Sequence, residues 1–176
     1  MRLFIAIDFD SINGYLKEIQ SQLLEISNLS LVTSFHLTLK FLGEVEEENY
    51  SLIKSKLKEI KFEKFNIFLD KVGVFETRGE PGVVFVSIKQ QINLLELQKS
   101  IESALSGFSS DFDFTAHVTL ARARKLDDKK QFIGKIIKIQ FKNLSVTVDK
   151  FELMKSELTR KGPAYTVIEP FKCSNL

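Results

Sequence analysis

Two short stretches decide the reading of this chain: His36-Leu37-Thr38-Leu39 and His117-Val118-Thr119-Leu120. They hold the only two histidines in the sequence, each two residues ahead of a threonine. Alternate side chains of a β-strand point to opposite faces. His36 and Thr38 therefore share one face, while Phe35, Leu37 and Leu39 take the other. His117 and Thr119 stand likewise against Ala116, Val118 and Leu120. Each strand offers an imidazole and a hydroxyl on one side and a core-forming row on the other.

The second stretch repeats the first at a fixed distance. His117 lies 81 residues after His36, and the same offset pairs Leu3 with Val84, Phe4 with Phe85, Ile5 with Val86, Ile7 with Ile88 and Leu39 with Leu120. That period is too long for a solenoid. It predicts an α+β fold of two β-α-β-α-β lobes, at about residues 1–77 and 82–176 of one domain, related by an approximate two-fold axis. Equivalent strands would then lie side by side, and their histidine–threonine faces would converge on one cleft.

The intervening sequence fits that plan. Arg2 to Asp8 reads as a strand, and Asp10 or Ser11 can cap a helix reaching about Ser27. A strand from about Ser34 to Leu42 is stopped by Gly43, and Glu46, Glu47 and Glu48 open a second helix, where negative charge suits the helix dipole. A strand from Phe65 to Phe75 closes the first copy, and the polar Gly/Pro-rich stretch from Glu76 to Gly82 breaks the chain. The second copy has a strand at Val83–Ile88, a helix from Ile92 to Leu105, the second histidine strand from about Thr115 to Ala123, a helix near Asp128–Ile137 and a strand from Leu144 to Met154. A last strand, about Ala164 to Phe171, follows the turn at Arg160–Pro163.

Composition narrows the class. With 25 basic and 23 acidic residues the net charge is +2, too mild to indicate an anionic partner unless the basic residues cluster. The single cysteine, Cys173, cannot form an internal disulfide, and no long apolar run is present, so a reducing cytoplasm is the simplest home. Two histidines without cysteine or clustered carboxylate partners fall short of a metal ligand set. What remains is acid–base chemistry. The unperturbed imidazole pKa of about 6.5 lets one histidine act as base and the other as acid. Two threonine hydroxyls between them can donate hydrogen bonds to an oxyanion. That combination suits in-line attack on a phosphodiester and needs neither metal nor cofactor.

Here the sequence resembles the 2H phosphoesterase superfamily, named for two HxTx motifs, and in particular its RNA 2′,3′-cyclic phosphodiesterase branch (2′-5′ RNA ligase, LigT/ThpR). The likeness covers nearly the whole chain: RLFIAID at the start, FHLTLKFLGEV around His36, VGVF at 72–75, AHVTLARAR around His117 and LTRKGPAY at 158–165. It implies a bilobal fold with antiparallel sheets facing a central cleft and helices outside. It implies hydrolysis of a terminal 2′,3′-cyclic phosphate to a 2′-phosphomonoester, and in some members reversible 2′-5′ joining of tRNA halves. His36 would donate a proton to the leaving 3′-oxygen, His117 would accept one from water, and Thr38 and Thr119 would hold the phosphate oxygens. The partner is RNA with a cyclic phosphate end, met by a monomer without a membrane.

Arg122 matches the family's arginine after the second motif, and its forked donors suit a phosphate. Period-2 counting puts 117, 119 and 121 on one face, so Arg122 reaches the cleft only if the strand bends. At offset 81 its counterpart is Phe41. Phe41 and Phe4 are candidate surfaces for stacking a base, with core packing as the default. Arg78, Arg124, Arg160 and Lys161 read as solvated. An RNA-end-binding module with little turnover is the rival reading, and two intact HxT motifs favour the enzyme.

Overall fold

The computed structural model describes residues 1–26, 28–77, 80–108, 113–123, 128–160 and 162–174. Arg78, Arg124 and Lys161 lie outside these residues. The first half runs β1 (Arg2–Asp8), a 3-10 turn at Asp10–Ile12, α1 (Asn13–Ser21), β2 (Leu29–Leu31), β3 (His36–Glu44), a 3-10 turn at Glu47–Asn49, α2 (Tyr50–Lys58) and β4 (Phe65–Thr77). The second runs β5 (Glu80–Ile88), α3 (Ile92–Ala104), β6 (His117–Ala123), α4 (Lys129–Ile136), β7 (Ser145–Val148), β8 (Lys150–Thr159) and β9 (Gly162–Lys172).

Three elements depart from the sequence reading. The first helix ends at Ser21 and has no side-chain cap; Asp8 Oδ1 instead accepts the Asp10 N–H at 3.1 Å, turning the chain before the helix. The expected strand from Leu144 to Met154 is two strands parted at Asp149, because β7 pairs with β4 while β8 pairs with β1. The short β2 was not foreseen; it pairs with β6 at the outer end of the second histidine strand. By contrast α4 begins as expected, with the Asp128 carboxylate accepting the Gln131 N–H at 2.9 Å.

The strands form one nine-stranded antiparallel sheet in the order β7-β4-β5-β6-β3-β1-β8-β9, with β2 on β6. Leu3, Ile5, Leu37, Leu39, Val84, Val86, Val118 and Leu120 are buried in one cluster with Leu16 and Ile19 of α1 and Leu94, Leu97 and Ile101 of α3. Helices thus cover one face of the sheet, and the histidine–threonine pairs occupy the other. Each side chain so buried contributes about 2 kcal/mol, which fixes the strand faces. No described helix is long and apolar enough to cross a membrane.

The chain halves exchange strands. β4 belongs to the first half in sequence but pairs with β5, whereas β8 and β9 of the second half extend the sheet beyond β1. Along the main strand order the two halves of the sheet meet at β3 and β6, where Leu37 pairs with Val118. These two residues are themselves 81 apart, so the pair joins equivalent positions of the repeat read from the sequence. The offset does not hold in the flanking strands. Asp8 pairs with His36 and Ser87 with His117, and 87 minus 8 is 79. A slip of two leaves every side chain on its own face, which is why the pattern survives it.

Candidate active site

The seam puts the two motifs on neighbouring strands. Leu37 and Val118 are fully buried on the helix-covered side, so His36, Thr38, His117 and Thr119 all turn to the open side, each partly exposed. A small cavity there is lined by Val32, Ser34, His36, Thr119, Arg122 and Tyr165. Thr38 and His117 share that face of the sheet but do not line the cavity itself.

Arg122 reaches the cavity because β6 bends. Along the β5–β6 pairing, Phe85 faces Thr119 and Val84 faces Ala121, which leaves Leu120 as an extra residue. Leu120 and Ala121 are both buried, and the next residue, Arg122, returns to the side of His117 and Thr119. This is a β-bulge, which re-aims the side chains beyond it. The same happens in β3. Ala6 faces Thr38 and Ile5 faces Lys40, with Leu39 extra, so Phe41 returns to the side of His36. The two extra residues, Leu39 and Leu120, are repeat-equivalent. The bend on which Arg122 depended is therefore present in both strands.

Each imidazole stands against two aromatic rings. His36 lies 5.2 Å from Phe4 and 4.8 Å, edge-on, from Tyr165. His117 lies 4.8 Å, edge-on, from Phe75 and 5.6 Å from Phe85, and Phe75 stacks on Phe85 at 3.9 Å. Gly73 makes room for this: a Cβ there would fall 2.8 Å from the tip of the Phe85 ring. Apolar walls of this kind disfavour charge on the imidazole. Burial, then the charges of Arg122 and His117, push His36 down to about 4. His117 is also lowered, by burial and then by Arg122, with the Thr115 carbonyl opposing.

That carbonyl separates the two histidines. His117 Nδ1 lies 2.7 Å from the Thr115 oxygen, an acceptor only, so the ring donates from Nδ1 and leaves Nε2 with a lone pair. His36 Nδ1 is buried and has no hydrogen-bond partner among the described residues. A second contrast lies behind the strands. Lys40, at the β3 bulge, is buried and ion-paired with Glu102 of α3; its counterpart in β6 is Ala121.

Of the residues singled out in the sequence, His36, Thr38, His117, Thr119, Arg122 and Phe41 come to one face. Phe41 is 43% exposed on this face, with its ring against Phe4. Phe4 is buried: at 2% exposure its ring is spent on His36, Phe41 and Tyr165, and it packs rather than stacks a base. Tyr165, Ser34, Val32, Phe75 and Phe85 join the site without having been picked out. Tyr165 sat within the LTRKGPAY stretch, but only the β8–β9 pairing carries it to His36. Among the described residues no group of three or more His, Cys, Asp or Glu is placed to hold a metal ion.

Known proteins share this sequence and shape. The family model for the 2'-5' RNA ligase superfamily matches residues 10–160. An RNA 2',3'-cyclic phosphodiesterase of Archaeoglobus fulgidus is 37% identical, over 98% of this chain and 100% of that protein. The crystal structure of TT0787 of Thermus thermophilus superposes with a TM-score of 0.84 at 27% identity, covering 98% of this chain and 97% of that one. That of E. coli LigT complexed with 3'-AMP does so with a TM-score of 0.79 at 25% identity, covering 99% and 98%.

Proposed function

This chain belongs to the 2'-5' RNA ligase superfamily, and on that premise we propose that it hydrolyses RNA 2′,3′-cyclic phosphate ends to 2′-phosphomonoesters, using His36 and His117 as a metal-independent acid–base pair. The observation that carries the reading is the seam: the Leu37–Val118 pair sets both HxT motifs side by side, and matched bulges bring Arg122 and Phe41 to the same face.

In this mechanism His117 Nε2 accepts a proton from water as the oxygen attacks phosphorus. The bond to the 3′-oxygen breaks, and His36 supplies the proton that this oxygen needs. One water is consumed, and the products are a 2′-phosphomonoester and a 3′-hydroxyl. Thr38 and Thr119 donate to the non-bridging oxygens, and Arg122 neutralises their charge. Phe41 stacks the terminal base. The Nδ1 bond to Thr115 favours His117 as the base.

His36 is neutral in the empty site at pH 7, since its pKa is near 4. A bound phosphodiester anion offsets Arg122 and favours the imidazolium, so the donor proton is taken up along with the substrate. With an RNA 5′-hydroxyl in place of water the same steps join two RNAs: its oxygen attacks the phosphorus of the cyclic phosphate, His117 takes its proton, the bond to the 3′-oxygen breaks and His36 protonates that oxygen, which gives the 2′-5′ joining of tRNA halves that the family resemblance implies. We place the protein in a reducing cytoplasm as a monomer, in keeping with its one thiol, Cys173.

The test is product analysis on an oligonucleotide with a 2′,3′-cyclic phosphate, in excess chelator. A 2′-phosphate is the expected product. A 3′-phosphate would reverse the leaving group, and RNA binding without product would favour the end-binding module instead.

A further inference from the structure

The bulge that returns Arg122 to the cavity is held from behind the sheet. Leu120 is the extra residue, and its carbonyl accepts two hydrogen bonds: from the Val32 N–H at 3.0 Å and from Gln20 Nε2 at 2.7 Å. Gln20 Nε2 also donates to the Val32 carbonyl at 2.9 Å. Both N–H groups of one carboxamide thus bridge the bulge and the segment after β2, where Val32 and Ser34 form one wall of the cavity. Gln20 is a glutamine on the buried face of α1, only 6% exposed. α1 packs on the side of the sheet away from the cleft, so Gln20 does not meet a ligand.

We infer that Gln20 is a positioning residue for Arg122, locking the Leu120 bulge so that the guanidinium faces the phosphate; this rests on the reading of Arg122 as a phosphate ligand. Without the extra residue, strict alternation would carry position 122 to the helix-covered face. A buried carbonyl stripped of its donor carries a desolvation penalty, so a bulge braced by two donors resists being ironed out. The matching strand has a looser brace. Gln98 of α3 reaches the Leu39 carbonyl at 3.5 Å, the outer limit of a hydrogen bond, and the side chain returned there is the uncharged Phe41.

The experiment measures inorganic phosphate affinity by calorimetry, alongside KM and kcat on a cyclic-phosphate dinucleotide. Gln20→Met keeps the bulk and removes both donors. It is expected to weaken phosphate about fivefold and raise KM similarly, the scale of one lost hydrogen bond, with kcat much less affected. In an Arg122→Ala background the same substitution is expected to add nothing, because the two act as one unit. Gln98→Met is expected to leave phosphate affinity unchanged. Gln20→His, which keeps one N–H donor, is expected to fall between wild type and Gln20→Met, and it answers the question should Gln20→Met not fold.

Full additivity of Gln20→Met and Arg122→Ala would overturn the inference, as would equal weakening by Gln98→Met. Phosphate affinity untouched by Arg122→Ala would remove its premise. A wild type that binds phosphate through Arg122 yet leaves the cyclic ester closed would refute the proposed activity, while the phosphate data would still judge Gln20.

Discussion

The His36 half and the His117 half are built on one pattern and differ at points that bear on the proposed chemistry. Both have the histidine, the threonine, a bulge at the equivalent leucine and two aromatic walls. They part at three places. His117 has its Nδ1 tied to a carbonyl and His36 does not. The residue returned by the bulge is Arg122 on one side and Phe41 on the other. The residue after the bulged leucine is Ala121 in β6 and a buried, ion-paired Lys40 in β3. In the proposed mechanism the repeated pattern supplies two histidines for one site, and these departures from symmetry would give them different work.

Removing either histidine tests that division most severely. His36→Ala and His117→Ala are each expected to lower turnover by about a hundredfold or more. Their pH profiles should differ, since one variant lacks the acid and the other the base. Near-normal turnover in either would end the paired-histidine account.

Next in size is the effect of pH on stability. His36 titrates near 4 in the fold against about 6.5 when unfolded. Its depressed pKa means the unfolded chain takes up the proton first as pH falls. Stability is therefore undiminished by His36 above pH 6.5 and is lost progressively down to about pH 4, by ~3 kcal/mol in all. Denaturant unfolding of His36→Asn should lack that part of the slope; an unchanged slope would place the burden on the carboxylates. Sulfate, which does not titrate in this range, should bind more tightly as pH drops from 7 to 5, because the anion and the His36 proton favour each other.

Arg122→Ala and Phe41→Ala sharpen the second contrast. Losing the charge is expected to reduce kcat/KM by about tenfold or more, the scale of a charge-assisted contact. Losing the ring should reduce it several-fold, through KM and only on substrates with a base, in line with about 1 kcal/mol for stacking. Equal effects on both would mean the two halves are less specialised than their sequences.

The smallest effect concerns Lys40. Glu102→Ala leaves a buried ammonium without its partner, whereas Lys40→Met leaves a half-exposed carboxylate that water can solvate. Chemical denaturation should show the first to be the more destabilising, with β6 indifferent to both. The reverse order would mean that the buried ammonium does not depend on Glu102.

Much of this was legible beforehand, for a physical reason. Alternation with period 2 and a fixed offset identify faces and equivalences without any knowledge of pairing, so His36, Thr38, His117 and Thr119 could be placed on one side. The bulges could not be read, because an extra residue is visible only against the strand it faces; Leu120 looks like any core leucine until Phe85 and Val84 are seen on either side of it. Tyr165 and Phe75 were hidden for the same reason. Their strands reach the site by lateral pairing, which local sequence does not encode. The strand exchange and the slip of two in the flanking strands were likewise beyond a reading that treats each half alone.

That exchange makes the wall beside His36 depend on a hairpin far along the chain from it. β1 lies between β3 and β8, and the Tyr165 wall of the cavity belongs to β9, which pairs with β8. Loss of β9 from the edge of the sheet would strip Tyr165 from His36 while the Leu37–Val118 seam stays paired.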